Sequence, residues 1–556
     1  MRKWRKMSLL VYAAELLLLL AVLVLVVKFV PDFGKKGEEH TIYGSSGEQI
    51  EDSTENTAGE KESAETGETP ESMEAGADSE HRGTGAGRKK GRPSGGDTAG
   101  QETEAEEEPY RPPTMIVASD LHYQSPKMTD FRESLDTYTE WNDGTVVPYL
   151  DVIADAFLEE VLKQKPSVLI LSGDISQNGE KVNHQELAKK LKRVQDAGIP
   201  VLVIPGNHDI NHPWAATYFD DKKETAEGVD AKGFYDIYHE FGYDQASSRD
   251  KDSLSYLYRL DEHYWMMMLD SCIYEPVHET GGRIKDTTLV WMREQLEAAK
   301  EAGAMVIPVA HHNLLKESTL YPEECTLENY RDVVRLLEEY KLPVYISGHL
   351  HLQRVKKNVE SPLDEGKYGI YEIVSSSLAI PPCQYGIINW TEDGSFRYHT
   401  KEVDISGWAE RYQEEDPNLL NFKEYSSRFL IETISNQTFK GLETIPEERK
   451  LEMAELYGTL NSAYCSGTPI SASKVKNSRT YFYWERYLGS SKWFDRLSAI
   501  LRDTKKDHNS LSLTAGKDFP EWIPEEEDAD GGNADDGNAD GGNADEDNAD
   551  GQNTGK

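Results

Sequence analysis

Ser167-Val168-Leu169-Ile170-Leu171-Ser172-Gly173-Asp174 is a short apolar run that stops at a glycine and a carboxylate. Such a run, bounded by a turn residue, reads as a buried strand with the carboxylate at its carboxyl end. The same pattern recurs outward from it. Ser119-Asp120-Leu121-His122 follows the run Thr114–Ala118, and Gly206-Asn207-His208-Asp209 follows Pro200–Ile204. His311-His312 follows Met305–Ala310, and Gly348-His349-Leu350-His351 follows Pro343–Ser347. Trp265–Leu269 is one more strand candidate. Amphipathic stretches separate the runs. Tyr149–Lys165 puts Leu150, Ile153, Phe157, Leu158, Val161 and Leu162 on one helical face, and His184–Ala197, Thr288–Ala302 and Leu327–Tyr340 repeat the pattern. Strand–helix alternation predicts an α/β fold with mostly parallel pairing early in the chain. Tyr368–Ser375, Gln384–Trp390 and Phe396–Val403 then follow closely, which predicts an antiparallel end to a second sheet.

Each polar segment falls where open α/β sheets gather ligands, in loops beyond the carboxyl ends of strands. Asp, Asn and His side chains converging there suit divalent Mn, Fe or Zn, whereas a magnesium site would use mostly oxygens. Two such ions about 3.5–4 Å apart would share one carboxylate, lower the pKa of a shared water and neutralise phosphoryl oxygens. Asp174, on the tight turn after Gly173, is the natural bridge.

D-x-H, G-D, G-N-H-D, H and G-H-x-H in this order resemble the calcineurin-like metallophosphoesterase superfamily over residues 111–405. Leu171–Glu180 followed by Pro205–Ile210 looks like its bacterial phosphohydrolase branch. The resemblance implies a four-layer α/β/β/α sandwich. It implies that Asp120, His122, Asp174 and His351 hold a first metal, and that Asp174, Asn207, His311 and His349 hold a second. His208 matches the acid that protonates the leaving oxygen or clamps the phosphate, with Asp209 expected to orient it. The family's ligand is the first of the paired histidines, so His311 takes that place and His312 stands behind it. Asn313 follows here where the family has a small or prolyl residue.

Other polar residues give weaker expectations. Asn178 and Glu180 could position substrate or cap the following helix. His212 is a candidate for facing the cleft, and His312 another substrate contact. His184, at a helix start, reads as a surface residue. Residues 123–149 form a polar, aromatic insertion suited to a substrate lid.

The flanks have their own character. Arg2, Lys3, Arg5 and Lys6 precede the apolar stretch 7–30, long enough for a membrane span. No small-residue cleavage site ends it, so it reads as an uncleaved signal anchor, with residues 1–6 cytoplasmic and the remainder outside. Residues 31–110 read as a disordered acidic linker and 524–556 as a disordered Asp/Asn/Gly-rich tail whose spacing fits no EF-hand. Residues 31–110 and 524–556 together hold more than half of the net charge of −40. The rest of the acid excess disfavours a groove for nucleic acid. Residues 406–523 carry helical periodicity over Tyr425–Thr438, Ile445–Asn461 and Arg479–Asp503, which predicts a helical C-terminal domain. Cys272, Cys325, Cys383 and Cys465 are too scattered for a zinc ribbon or a disulfide scaffold.

The expected function is therefore membrane-anchored, extracellular, dimetal hydrolysis of phosphate mono- or diesters. The alternative is a surface binding protein on the same fold that has lost catalysis.

Overall fold

The computed structural model describes residues 110–130, 142–318, 320, 325–359 and 369–520. The anchor, linker and acidic-tail segments expected at 1–6, 7–30, 31–110 and 524–556 lie outside these residues, apart from Tyr110. No helix among the described residues is long and apolar enough to cross a membrane.

From Thr114 onward the chain builds two main sheets. In the first, Thr114–Ala118, Val168–Ser172 and Val201–Ile204 pair in parallel in that order. In the second, Tyr264–Leu269, Met305–Ala310, Val344–Ser347 and Tyr371–Val374 do the same. Strand alternation shows how the layers stack. Met266 and Met268 join the core that also holds Ile116, Leu169 and Val203 of the first sheet. Trp265, Met267 and Leu269 point the other way, onto Met292 and Leu296 of helix Asp286–Ala302 and onto Val333 and Leu337 of helix Tyr330–Glu339. Helix Leu150–Gln164 covers the first sheet with Ile153, Phe157 and Val161. It stops at Lys165, left-handed with φ 50°, just before Pro166. The result is the expected α/β/β/α sandwich.

Two expectations need correction. Gln384–Trp390 and Phe396–Glu402 are antiparallel but belong to the first sheet, where Gln384–Trp390 lies against Thr114–Ala118. Tyr371–Val374 stays in the second sheet and pairs in parallel with Val344–Ser347. Closeness in sequence does not disclose that the chain changes sheets between Ser375 and Gln384. The stretch Arg479–Asp503 is also two helices, Arg479–Leu488 and Lys492–Asp503. Gly489 and two serines interrupt it, and Ser491 Oγ accepts from Phe494 N to start the second helix.

The C-terminal region is helical over Ile405–Tyr412, Phe422–Gly441, Glu447–Cys465 and the pair just described. It then returns as strand Ser510–Leu513, which pairs with Phe396–His399 at the edge of the first sheet. The helices are thus an excursion from the sandwich that closes back onto it.

Candidate metal centre

Five parallel strands, three from one sheet and two from the other, deliver the polar segments to one place. The loops depend on backbone that L-residues seldom adopt. Asp120, His122, Asp174, His349 and His351 all have positive φ, at 52°, 42°, 47°, 71° and 55°. Each such residue costs on the order of 1–2 kcal/mol, so the surroundings must enforce it. They do so through backbone ties between motifs: Asp120 N donates to Gly173 O at 3.1 Å, and His122 N donates to Asp174 O at 2.9 Å. His349 N donates to Asp120 Oδ2 at 3.0 Å. Gly206 and Gly348 permit close approach, since a Cβ at Gly206 would meet Asp174 N and Oδ1 at 2.2 Å and one at Gly348 would meet Ser119 Oγ at 1.8 Å.

Two groups of ligating atoms result, each with its atoms within 4.8 Å of one another: Asp120, His122, Asp174 and His351, and Asp174, His311 and His349. Asp174 belongs to both, with Oδ2 3.9 Å from His122 Nε2 and 3.2 Å from His311 Nε2. Asn207 Oδ1 lies 3.1 Å from His311 Nε2 and so borders the second group. His122 Nε2 and His351 Nε2 face each other at 2.9 Å, and His349 Nδ1 faces His311 Nε2 at 3.2 Å.

The electrostatics show what these groups lack. Burial opposes ionisation of Asp174, but His311, His208 and His122 outweigh it and hold the carboxyl well below its usual range. Burial likewise opposes ionisation of Asp120, which His351 and His311 hold low. Burial also opposes charge on His311, yet Asp174 and Asp120 push it up to about 9. Against the same burial, Asp143 and Asp120 push His351 well up. Meanwhile burial, with neighbouring imidazoles, drives His122 down to about 4 and His349 well down. Ionised carboxylates, neutral imidazoles at His122 and His349, and protons drawn onto His311 and His351 show a demand for positive charge at both groups that divalent cations fit, and Asp and His donors suit Mn, Fe or Zn.

His208 stands beside the first group. Its N donates to Asp174 Oδ1 at 2.7 Å, and its ring lies edge-on to His122 with centroids 4.9 Å apart. Its Nδ1 faces Gln177 O at 2.9 Å and Asn178 Oδ1 at 3.0 Å. Asp209, expected to orient His208, does something else. Its carboxylate accepts from Gly206 N at 2.8 Å, Ser176 N at 2.9 Å, Ser176 Oγ at 2.8 Å and Ile175 N at 3.2 Å. It ties the G-D loop to the G-N-H-D loop, and spacing alone could not distinguish that from a pairing with His208.

His212 stacks on His208 with centroids 4.6 Å apart, and its other neighbours are Trp214 and His278. His312 packs on His349 with centroids 4.6 Å apart and reaches Ser271 Oγ and Thr280 O, behind the second group. Glu180 caps nothing through its side chain. It is buried and accepts from Asn178 N and Asn183 Nδ2, both at 2.8 Å. His184 is fully buried rather than on the surface, with Nε2 3.0 Å from Asp209 O and Nδ1 3.1 Å from Tyr238 OH.

Two neighbours were missed. Asp143, within the 123–149 insertion, meets His351 Nδ1 through Oδ2. His278 Nε2 meets Asn207 O at 2.7 Å. An Asn-Asp-Gly triplet reads as a turn, and His278 is remote in sequence from every motif, so neither carried a signal.

Residues 113–353 match the calcineurin-like phosphoesterase family, and residues 404–507 match the C-terminal domain of cyclic nucleotide phosphodiesterase. The chain thus carries a calcineurin-like phosphoesterase domain with a dimetal-type cluster of ligands. A Psychrobacter arcticus protein described as "probable cyclic nucleotide phosphodiesterase" is 25% identical over 205 residues, 36% of this chain and 63% of the relative's length. Among solved structures, a dimetal phosphatase from Danio rerio aligns with 52% of this chain and 96% of its own, at 12% identity and TM-score 0.39. A purple acid phosphatase from yellow lupin aligns with 52% of this chain and 51% of its own, at 12% identity and TM-score 0.34.

His184 gives a stability prediction. Burial pushes it down to about 4, against 6.5 when unfolded. The unfolded chain therefore binds the extra proton between those values, so stability is full above about pH 6.5 and falls as pH drops toward 4. The loss from this one group is on the order of 3 kcal/mol. Urea denaturation at pH 7 and pH 4.5 should show a smaller loss in His184→Gln than in wild type, and an equal loss would contradict the assignment.

Proposed function

We propose that the chain is a dimetal phosphodiesterase acting on nucleotide esters, with 3′,5′-cyclic nucleotides the first candidates. The observation that carries hydrolysis is Asp174, one buried carboxylate common to two ligand groups with His208 beside it. Asp120, His122, Asp174 and His351 would hold one ion, and Asp174, Asn207, His311 and His349 the other. Bound there, two divalent cations supply a water acidic enough to attack phosphorus and charge that neutralises the phosphoryl oxygens.

The remaining work falls to side chains of this chain. With Nδ1 turned to the Gln177 carbonyl, His208 presents Nε2 as the nitrogen that passes a proton to the departing oxygen. Asn178, against the same Nδ1, fixes the ring. Asp209 acts as a positioning residue for the loops rather than for His208. Beyond the His208–His212 stack, Trp214 is 37% exposed, close enough to receive a nucleobase on its ring face. The match of 404–507 to a cyclic nucleotide phosphodiesterase C-terminal domain supports the nucleotide reading, as does the Psychrobacter relative. The stretch 7–30, with its basic flank, supports placing this activity outside a membrane on a single-pass anchor.

Full-length chain with manganese should hydrolyse bis-aryl phosphodiesters and cyclic nucleotides faster than aryl monoesters. Asp174→Asn should reduce the rate to background, and His208→Ala should lower it about 10²–10⁴-fold. Activity that survives Asp174→Asn would contradict the mechanism.

Trp214→Ala should raise KM for a cyclic nucleotide several-fold and leave KM for a small aryl diester unchanged. Equal effects on both substrates would remove Trp214 from base recognition.

Protease treatment of intact cells should release the phosphoesterase activity. Retention of activity in a protected compartment would overturn the proposed topology.

A further inference from the structure

His351 is held from both sides by parts of the chain that lie far from it in sequence. Its Nε2 faces the first ligand group, 3.3 Å from Asp120 Oδ1 and 2.9 Å from His122 Nε2. Its Nδ1 points the opposite way, to Asp143 Oδ2. Asp143 therefore stands behind the imidazole and does not compete for the ion. A carboxylate there fixes which nitrogen carries the hydrogen, sets the ring plane and makes the other nitrogen a better donor.

Asp143 is itself positioned. Thr145 Oγ1 donates to Asp143 Oδ1 at 2.8 Å, and Asn142 Oδ1 accepts from Gly144 N at 2.8 Å, so the turn closes on itself. Gly144 has φ 101°, and a Cβ there would meet Leu430 Cδ1 at 2.2 Å. Gln437 Nε2 donates to Asn142 O at 2.7 Å. Leu430 and Gln437 both belong to helix Phe422–Gly441, two turns apart on one face. That helix presses the turn against the sandwich.

The chain just after His351 is gripped by the same C-terminal region. Gln353 N donates to Cys465 O at 2.9 Å, and Gln353 Nε2 donates to His508 O at 3.0 Å. Arg354 Nη1 donates to Asp503 O at 2.7 Å. None of these contacts reaches a ligating atom, yet together they fix the ring's back and its downstream backbone.

We propose that Asp143 is the positioning carboxylate for His351 and that helix Phe422–Gly441 sets Asp143 in place, so the C-terminal helical region governs affinity at the first metal group. The inference rests on the dimetal reading above. It gives the helical region a task at the centre that requires no contact with substrate.

The test is calorimetric titration of manganese into the metal-free full-length chain. Wild type should bind two ions. Asp143→Asn keeps the shape and removes the charge, and it should weaken one of the two sites about 10–100-fold while leaving the other within about 3-fold. Gln437→Ala, remote from every ligand, should weaken the same site by a smaller factor, and Asp143→Glu should recover part of the loss. Unfolding midpoints of the metal-free proteins, read alongside, should match wild type for Gln437→Ala. Two full-affinity sites in Asp143→Asn would overturn the role of Asp143. Wild-type affinity in Gln437→Ala, with a loss in Asp143→Asn, would overturn control by the helix. Equal weakening of both sites would show a general structural effect and overturn the site-specific claim. Fewer than two sites in wild type would instead contradict the dimetal reading itself.

Discussion

The centre depends on one buried carboxylate, Asp174, and on the need for positive charge that its surroundings create. Two imidazoles from different sheets face its Oδ2, and the backbone N–H of His208 is tied to its Oδ1. A carboxylate wholly out of water is costly unless paired, and the cost sets how the neighbours must behave. His311 and His351 respond by holding protons more strongly, while His122 and His349 give theirs up. Cations that replace those protons satisfy every ligand at once. The left-handed backbone at five ligand residues follows from the same demand, because side chains from two sheets must turn inward on one point.

Much of this was legible in the sequence because ligand residues sit immediately after strands, where type and order carry the information. In the structure Asp174 is common to both ligand groups, and His311 rather than His312 lies beside it in the second. What was illegible depends on partners chosen by tertiary packing. Asp209 follows His208 in the chain, but its acceptors face the Gly206 and Ser176 amides. His184 begins an exposed-looking helix and yet is sealed beneath Phe234 and Tyr238. Sheet membership of Gln384–Trp390 was hidden because its antiparallel partner, Thr114–Ala118, lies at the other end of the domain.

The C-terminal helices carry no motif, and their aromatic periodicity reads only as core. Trp484, Tyr457 and Leu430 do build such a core, but that core also packs around Leu350 and Leu352, which flank His351. A region that is quiet as sequence thus shares its packing with a ligand loop. This continuity gives a physical reason for the helical region to accompany the phosphoesterase domain in one chain.

The central claim is that two cations share Asp174. Metal-to-protein ratio by mass spectrometry, on full-length chain purified by phosphoester hydrolysis, is the direct test. Two divalent ions per chain are expected, falling below two in inactive Asp174→Asn. A fully active protein holding one ion or none would contradict it.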